Sequence, residues 1–141
     1  MSRQASGAGE LTRRLVARVA AESDAPDAAA VVHVVCERVY QELARWIGAN
    51  GCQALFTRAL AQAQVAHPVL GQIRIGGRSG PALDGVTESI RSHGESAVAT
   101  GLEALLVALL ELLGRLIGDG MAGRLVEQSV PGRSRDDERP T

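Results

Sequence analysis

Lysine is missing from this chain: all 15 basic residues among its 141 are arginine. A lysine on nucleotide phosphates and a lysine Schiff base are both excluded, which removes ordinary P-loop nucleotidases and lysine-linked pyridoxal chemistry. Aromatic rings are almost as scarce. Tyr40, Trp46 and Phe56 are the whole set, too few for a platform on which successive bases stack. The arginines are interleaved with 16 acidic residues for a net charge of -1, so no basic stripe forms and nucleic acid is not expected as a partner. Cysteine is limited to Cys36 and Cys52. Both fall on apolar helical faces and read as small buried hydrophobes, not as a disulfide framework. The first ten residues hold no apolar core of the kind a signal peptide needs, so a cytoplasmic location is expected. An all-arginine, alanine-rich composition fits a GC-rich bacterial genome.

What is present is apolar and has the helical period. With 45% hydrophobic and 22% charged residues, the composition is that of one globular domain. The expected organisation is a disordered start over 1–8, a helical domain over 9–130 and a disordered tail over 131–141. Leu11, Leu15, Val16 and Val19 share one face of a first helix near 9–22. Asp24, Pro26 and Asp27 have the chemistry of a helix start. The helix they open carries Val32, Val35, Cys36, Val39, Leu43, Trp46 and Ile47 on its buried stripe. Gly48-Ala-Asn-Gly51 reads as a turn that folds a third helix back, with Cys52, Leu55, Phe56, Ala59, Leu60 and Ala63 facing inward. Pro68 stops that helix near His67.

Residues 68–80 read as a non-helical linker. Val69, Leu70, Ile73 and Ile75 are apolar enough to tuck into a core or form an extended piece, but no partner strand is visible. The glycines of Gly76-Gly-Arg-Ser-Gly80 match neither a dinucleotide fingerprint nor a P-loop. Pro81 then opens a short fourth helix with Leu83, Val86 and Ile90 on one face, loosening around Ser92-His93-Gly94. Beyond Gly118-Asp119-Gly120 a last short helix carries Met121, Leu125 and Val126.

The most informative segment lies between these two. Leu102, Leu105, Leu109, Leu112 and Leu116 alternate spacings of three and four, with Leu106, Leu110, Leu113 and Ile117 forming a second row. Only a strip of Ala104, Ala108, Glu111 and Arg115 is left to face water. A membrane span needs about 20 apolar residues, and here Glu103, Glu111 and Arg115 interrupt the run, so no membrane partner is expected. A helix apolar nearly all round is the centre of a bundle or is shared between subunits. The expected fold is therefore all-α, an antiparallel bundle of five or six helices around a central helix at 101–117. The five leucines, Leu102 to Leu116, are the candidate core or interface residues.

Catalytic constellations are hard to assemble. The histidines are His33, His67 and His93, and no nucleophile elbow surrounds Ser89, Ser92 or Ser96. His33 and Cys36 are three apart, but no second pair with ligand spacing follows. Glu37 and Glu42 share an arginine-rich polar face, and Glu-x-x-His, the di-iron bundle signature, is absent. No catalytic residue, metal or cofactor is predicted.

One short stretch carries a likeness. Arg91, His93, Gly94, Ser96, Ala97 and Gly101 loosely resemble the surroundings of the exposed histidine in a histidine phosphotransfer domain, which is a small helical bundle. The resemblance implies His93 as phosphoacceptor, although the basic residue and glycine expected shortly after it are missing. The function expected from the residues themselves is protein–protein interaction, as an adaptor or regulator that self-associates into a homo-oligomer. The alternatives are phosphotransfer through His93 and sensing of a small apolar ligand, with Trp46 and Phe56 as pocket walls.

Overall fold

The helical period of the sequence becomes five α-helices in the computed structural model, which describes residues 2–22, 28–76 and 83–129. Helical turns take up 91% of those residues, so the fold is all-α. Helix α1 spans Ser2–Glu22 and includes 2–8, where the sequence predicted a disordered start. Asp24, Pro26 and Asp27, the expected start of the next helix, lie outside the described residues, as does the tail over 131–141.

Helix α2 spans Ala28–Ala66 and is broken at Gly48, whose φ of 87° and ψ of 158° are not helical. The break is a reversal. The Cys52 thiol reaches the backbone carbonyl of Tyr40 at 3.3 Å, although twelve residues of continuous helix would separate the two by about 18 Å. Tyr40 and Phe56 also meet edge to face, with ring centroids 4.9 Å apart. Cys52, Leu55, Phe56, Ala59, Leu60 and Ala63 are buried, as their period predicted. Trp46 and Ile47 correct the reading of the preceding stripe: they are exposed, because they are the last side chains before the break.

The interval after α2 is more ordered than a linker. Pro68–Gln72 form a 3-10 turn, Arg74–Ile75 form β1, and Leu83–Asp84 form β2. The two strands pair antiparallel, Arg74 with Asp84 and Ile75 with Leu83. A partner strand thus exists where none was expected. Leu83 belongs to it, not to the fourth helix, and Pro81 lies outside the described residues. Leu70, Ile73 and Leu83 are buried and carry this ladder into the core.

Helix α3 spans Val86–His93, α4 spans Glu95–Ile117 and α5 spans Asp119–Ser129. Single glycines join them. Gly94 (φ 92°, ψ 152°) and Gly118 (φ 94°, ψ 146°) repeat the conformation of Gly48, in a region that essentially only glycine occupies. Each of the two donates its N–H to the preceding helix and lends its carbonyl to the next. Gly118 N reaches Gly114 O at 2.8 Å, and Ala122 N reaches Gly118 O at 2.9 Å. Orphan groups of two helix ends are thereby satisfied at one residue.

Helix α4 packs against α1, α2, α3, the 3-10 turn and α5. Leu102, Leu105 and Leu109 are fully buried, Leu112 is 7% exposed, and Leu106, Leu110 and Leu113 are buried beside them. Ala108, assigned to the water-facing strip, is buried as well. α4 is long and apolar enough to cross a membrane by length and composition, a test that a core helix also passes, and 61% of its most apolar stretch is buried within the protein.

Candidate functional site

The leucine row divides. Leu102, Leu105, Leu109 and Leu112 are core, whereas Leu116 is 68% exposed. Leu116 sits on the last turn of α4, where Gly118 turns the chain away before another element covers it. Its neighbour Ile117 is exposed too, and Met121, placed on the buried face of the last helix by its period, is 50% exposed. Leu125 and Val126 of the same helix are buried as expected. A matching group stands at the Gly48 joint, where Trp46 is 61% exposed and Ile47 is exposed beside it. The Trp46 ring is held, since its Nε1 donates to Glu42 Oε2 at 3.1 Å, while Arg45 lies 3.4 Å from the other carboxylate oxygen.

Trp46 therefore walls no interior pocket. Phe56, the other expected wall, is buried edge-on against Tyr40. The fixed, amphipathic ring of Trp46 is instead the type of side chain that anchors protein interfaces.

The polar face of α2 holds a second cluster. Glu37 Oε2 lies 3.0 Å from His33 Nε2 and accepts the backbone N–H of Leu83 at 3.0 Å. One carboxylate thus staples α2 to β2, a contact across 46 residues that a four-apart helix pair did not reveal. His33 and Glu37 are both half-buried. Cys36 beside them is fully buried, and burial, then the charge of Glu37, pushes its thiol pKa well above the ordinary range. Burial also pushes Cys52 up to about 12, and Tyr40 is raised by burial, Cys52 and Glu37 in that order. Neither thiol is an activated nucleophile, because that role needs a depressed pKa and access. Among the described residues no three of His, Cys, Asp and Glu are grouped as a metal requires.

His93 is exposed at the end of α3, and the residues that suggested phosphotransfer are divided between α3 and α4. Gly94 breaks the helix directly after the histidine, and Ser96, Ala97 and Gly101 belong to α4. Gly101 is buried: a Cβ there would lie 2.8 Å from Leu70 Cδ2 and 3.3 Å from Val69 Cγ1. Its smallness serves packing between α4 and the 3-10 turn, not access to His93. Ser89 was not singled out by the sequence except as a serine near a histidine. It is fully buried and donates its hydroxyl to Val69 O at 3.0 Å.

Comparison with protein-family models, with curated proteins and with solved structures finds no match for this chain.

Proposed function

We propose that this protein works by binding protein, a second copy of itself included, as an adaptor or regulator with no reaction of its own, and that its helices form an antiparallel bundle around α4. One observation carries the reading. Of the large apolar side chains exposed among the described residues, Trp46, Ile47, Leu116, Ile117 and Met121 stand beside two of the glycine joints, Gly48 and Gly118, while Val34 and Val65 stand elsewhere on α2. Scattered exposed hydrophobics are ordinary in a monomer, but a contiguous patch of them marks an interaction surface.

Antiparallel packing would bring the two groups together. The first turns of α4 lie against the 3-10 turn that follows α2, through Gly101, Leu70 and Val69. From that meeting point the second half of α2, residues 49–66, runs back over about 27 Å, and 101–117 of α4 runs about 24 Å. Both glycine joints then fall at the far end at nearly the same level. The resulting patch, with Trp46 pinned by Glu42 and rimmed by Arg45, suits an isologous dimer in which each copy presents the same surface. A pre-positioned aromatic anchor also loses less freedom on binding than a mobile one.

Light scattering over a concentration series tests the reading on wild type and Leu116→Glu. The wild type is expected to approach the mass of a dimer as concentration rises, and Leu116→Glu to stay monomeric with unchanged helical circular dichroism. A wild type that remains monomeric throughout removes self-association.

A further inference from the structure

We propose that the groove between the 3-10 turn with β1 on one side and helix α3 on the other binds a small hydroxylated organic dianion. The groove is open to solvent, has a volume of about 530 Å³ and is lined by Gly71, Gln72, Arg74, Glu88, Arg91 and Ser92, all of them exposed. That volume is in the range of small-molecule sites and far larger than a bare ion requires.

The lining sets the ligand's chemistry. Arg74 and Arg91 bring two positive charges into one concavity against the single negative charge of Glu88. Neither guanidinium makes an ion pair among the described residues, even though Asp84 stands opposite Arg74 in the ladder and Glu88 is one turn from Arg91. Two guanidinium groups with free donors match the oxygens of a phosphate or of paired carboxylates, in the bidentate geometry that arginine favours. Glu88 repels such a group and instead accepts hydrogen bonds, so it suits hydroxyls elsewhere on the ligand. The Gln72 amide and Ser92 hydroxyl add polar contacts of both senses, and Gly71 presents no side chain to block the approach. The lining holds no aromatic ring, which leaves a nucleotide base without a stacking surface.

The walls are fastened to each other before any ligand arrives. Ser89, one residue from Glu88 and two from Arg91, donates its buried hydroxyl to Val69 O of the 3-10 turn. The Gln64 amide holds the next carbonyl of that turn, Leu70 O, at 2.9 Å. At the base of α3, Gly85 comes so near the opposite wall that a Cβ would lie 2.4 Å from Gln72 O. These contacts fix the backbone of both walls, so the exposed lining side chains reach a ligand from anchored positions and only their own rotamers have to be ordered on binding.

The test is calorimetric titration of the full-length protein with glucose 6-phosphate, malate, glucose and inorganic phosphate. The first two are the hydroxylated dianions, carrying a phosphate and two carboxylates respectively, and whichever saturates identifies the source of the charge. Glucose is expected to give no signal, and inorganic phosphate to bind more weakly than the saturating dianion. Arg74→Gln and Arg91→Gln should each weaken that ligand by about tenfold or more. Arg58→Gln, on an exposed position of α2 outside the groove, should not change it. Failure of both dianions to saturate overturns the proposal, as does inorganic phosphate binding equally tightly or Arg58→Gln weakening binding as much as Arg91→Gln. Helical circular dichroism of each variant separates lost binding from lost fold.

Discussion

Burial at single positions was legible wherever a neighbouring element runs the full length of the face in question. Leu15, Val35, Phe56 and Leu109 are all core, and each lies in the body of its helix. Trp46, Leu116 and Met121 have the same period and are exposed, because period reports which way a side chain points and not whether a partner extends that far. The two thiols were legible as buried, and their burial has a pH signature. An acid whose proton is held more tightly in the folded state contributes stability in full below its unfolded pKa, and loses it as pH rises toward the folded value. For Cys52 the interval runs from the ordinary 9.0 to about 12, and Cys36 and Tyr40 act in the same direction. The denaturant midpoint should therefore fall between pH 8 and about 10.5, and the fall should be shallower in Cys52→Ala than in wild type. Equal slopes in the two proteins would show that Cys52 holds no differential proton.

At the scale of elements, the sequence located the breaks better than it described them. Gly48, Gly94 and Gly118 were each read as turn or breaker positions, but a loop of several residues was expected at 48–51 and at 118–120, whereas one glycine suffices. The β1–β2 pair was missed because a two-residue strand has no alternation to detect, and its register is supported from outside by Glu37 through Leu83 N. The joints make a specific prediction. A Cβ at Gly118 would touch nothing within 4 Å, and the φ there is +94°. Gly118→Ala should consequently lose about 1–3 kcal/mol through backbone strain alone. Urea denaturation read by circular dichroism measures it. An unchanged midpoint would mean that the joint relaxes to another conformation without loss.

For the whole molecule, core and surface are linked through one helix. α4 supplies Leu105 and Leu109 to the interior and Leu116 to solvent, so substitutions along one row should act in two distinguishable ways. Truncating a fully buried leucine removes contacts on every side and leaves a cavity, at a cost of about 2–5 kcal/mol. Leu109→Ala should lower the denaturation midpoint by that much at every protein concentration. Truncating Leu116 removes little from the isolated chain. If native protein associates through the patch around Gly118, association stabilises it by mass action, and the wild-type midpoint should rise with protein concentration. Leu116→Ala should then match wild type when dilute and lose the concentration dependence. Midpoints measured over a hundredfold concentration range for the three proteins give the answer. A wild-type midpoint independent of concentration, with Leu116→Ala superimposed on it, would leave the exposed end of α4 without a role in self-association and turn attention to a different protein partner.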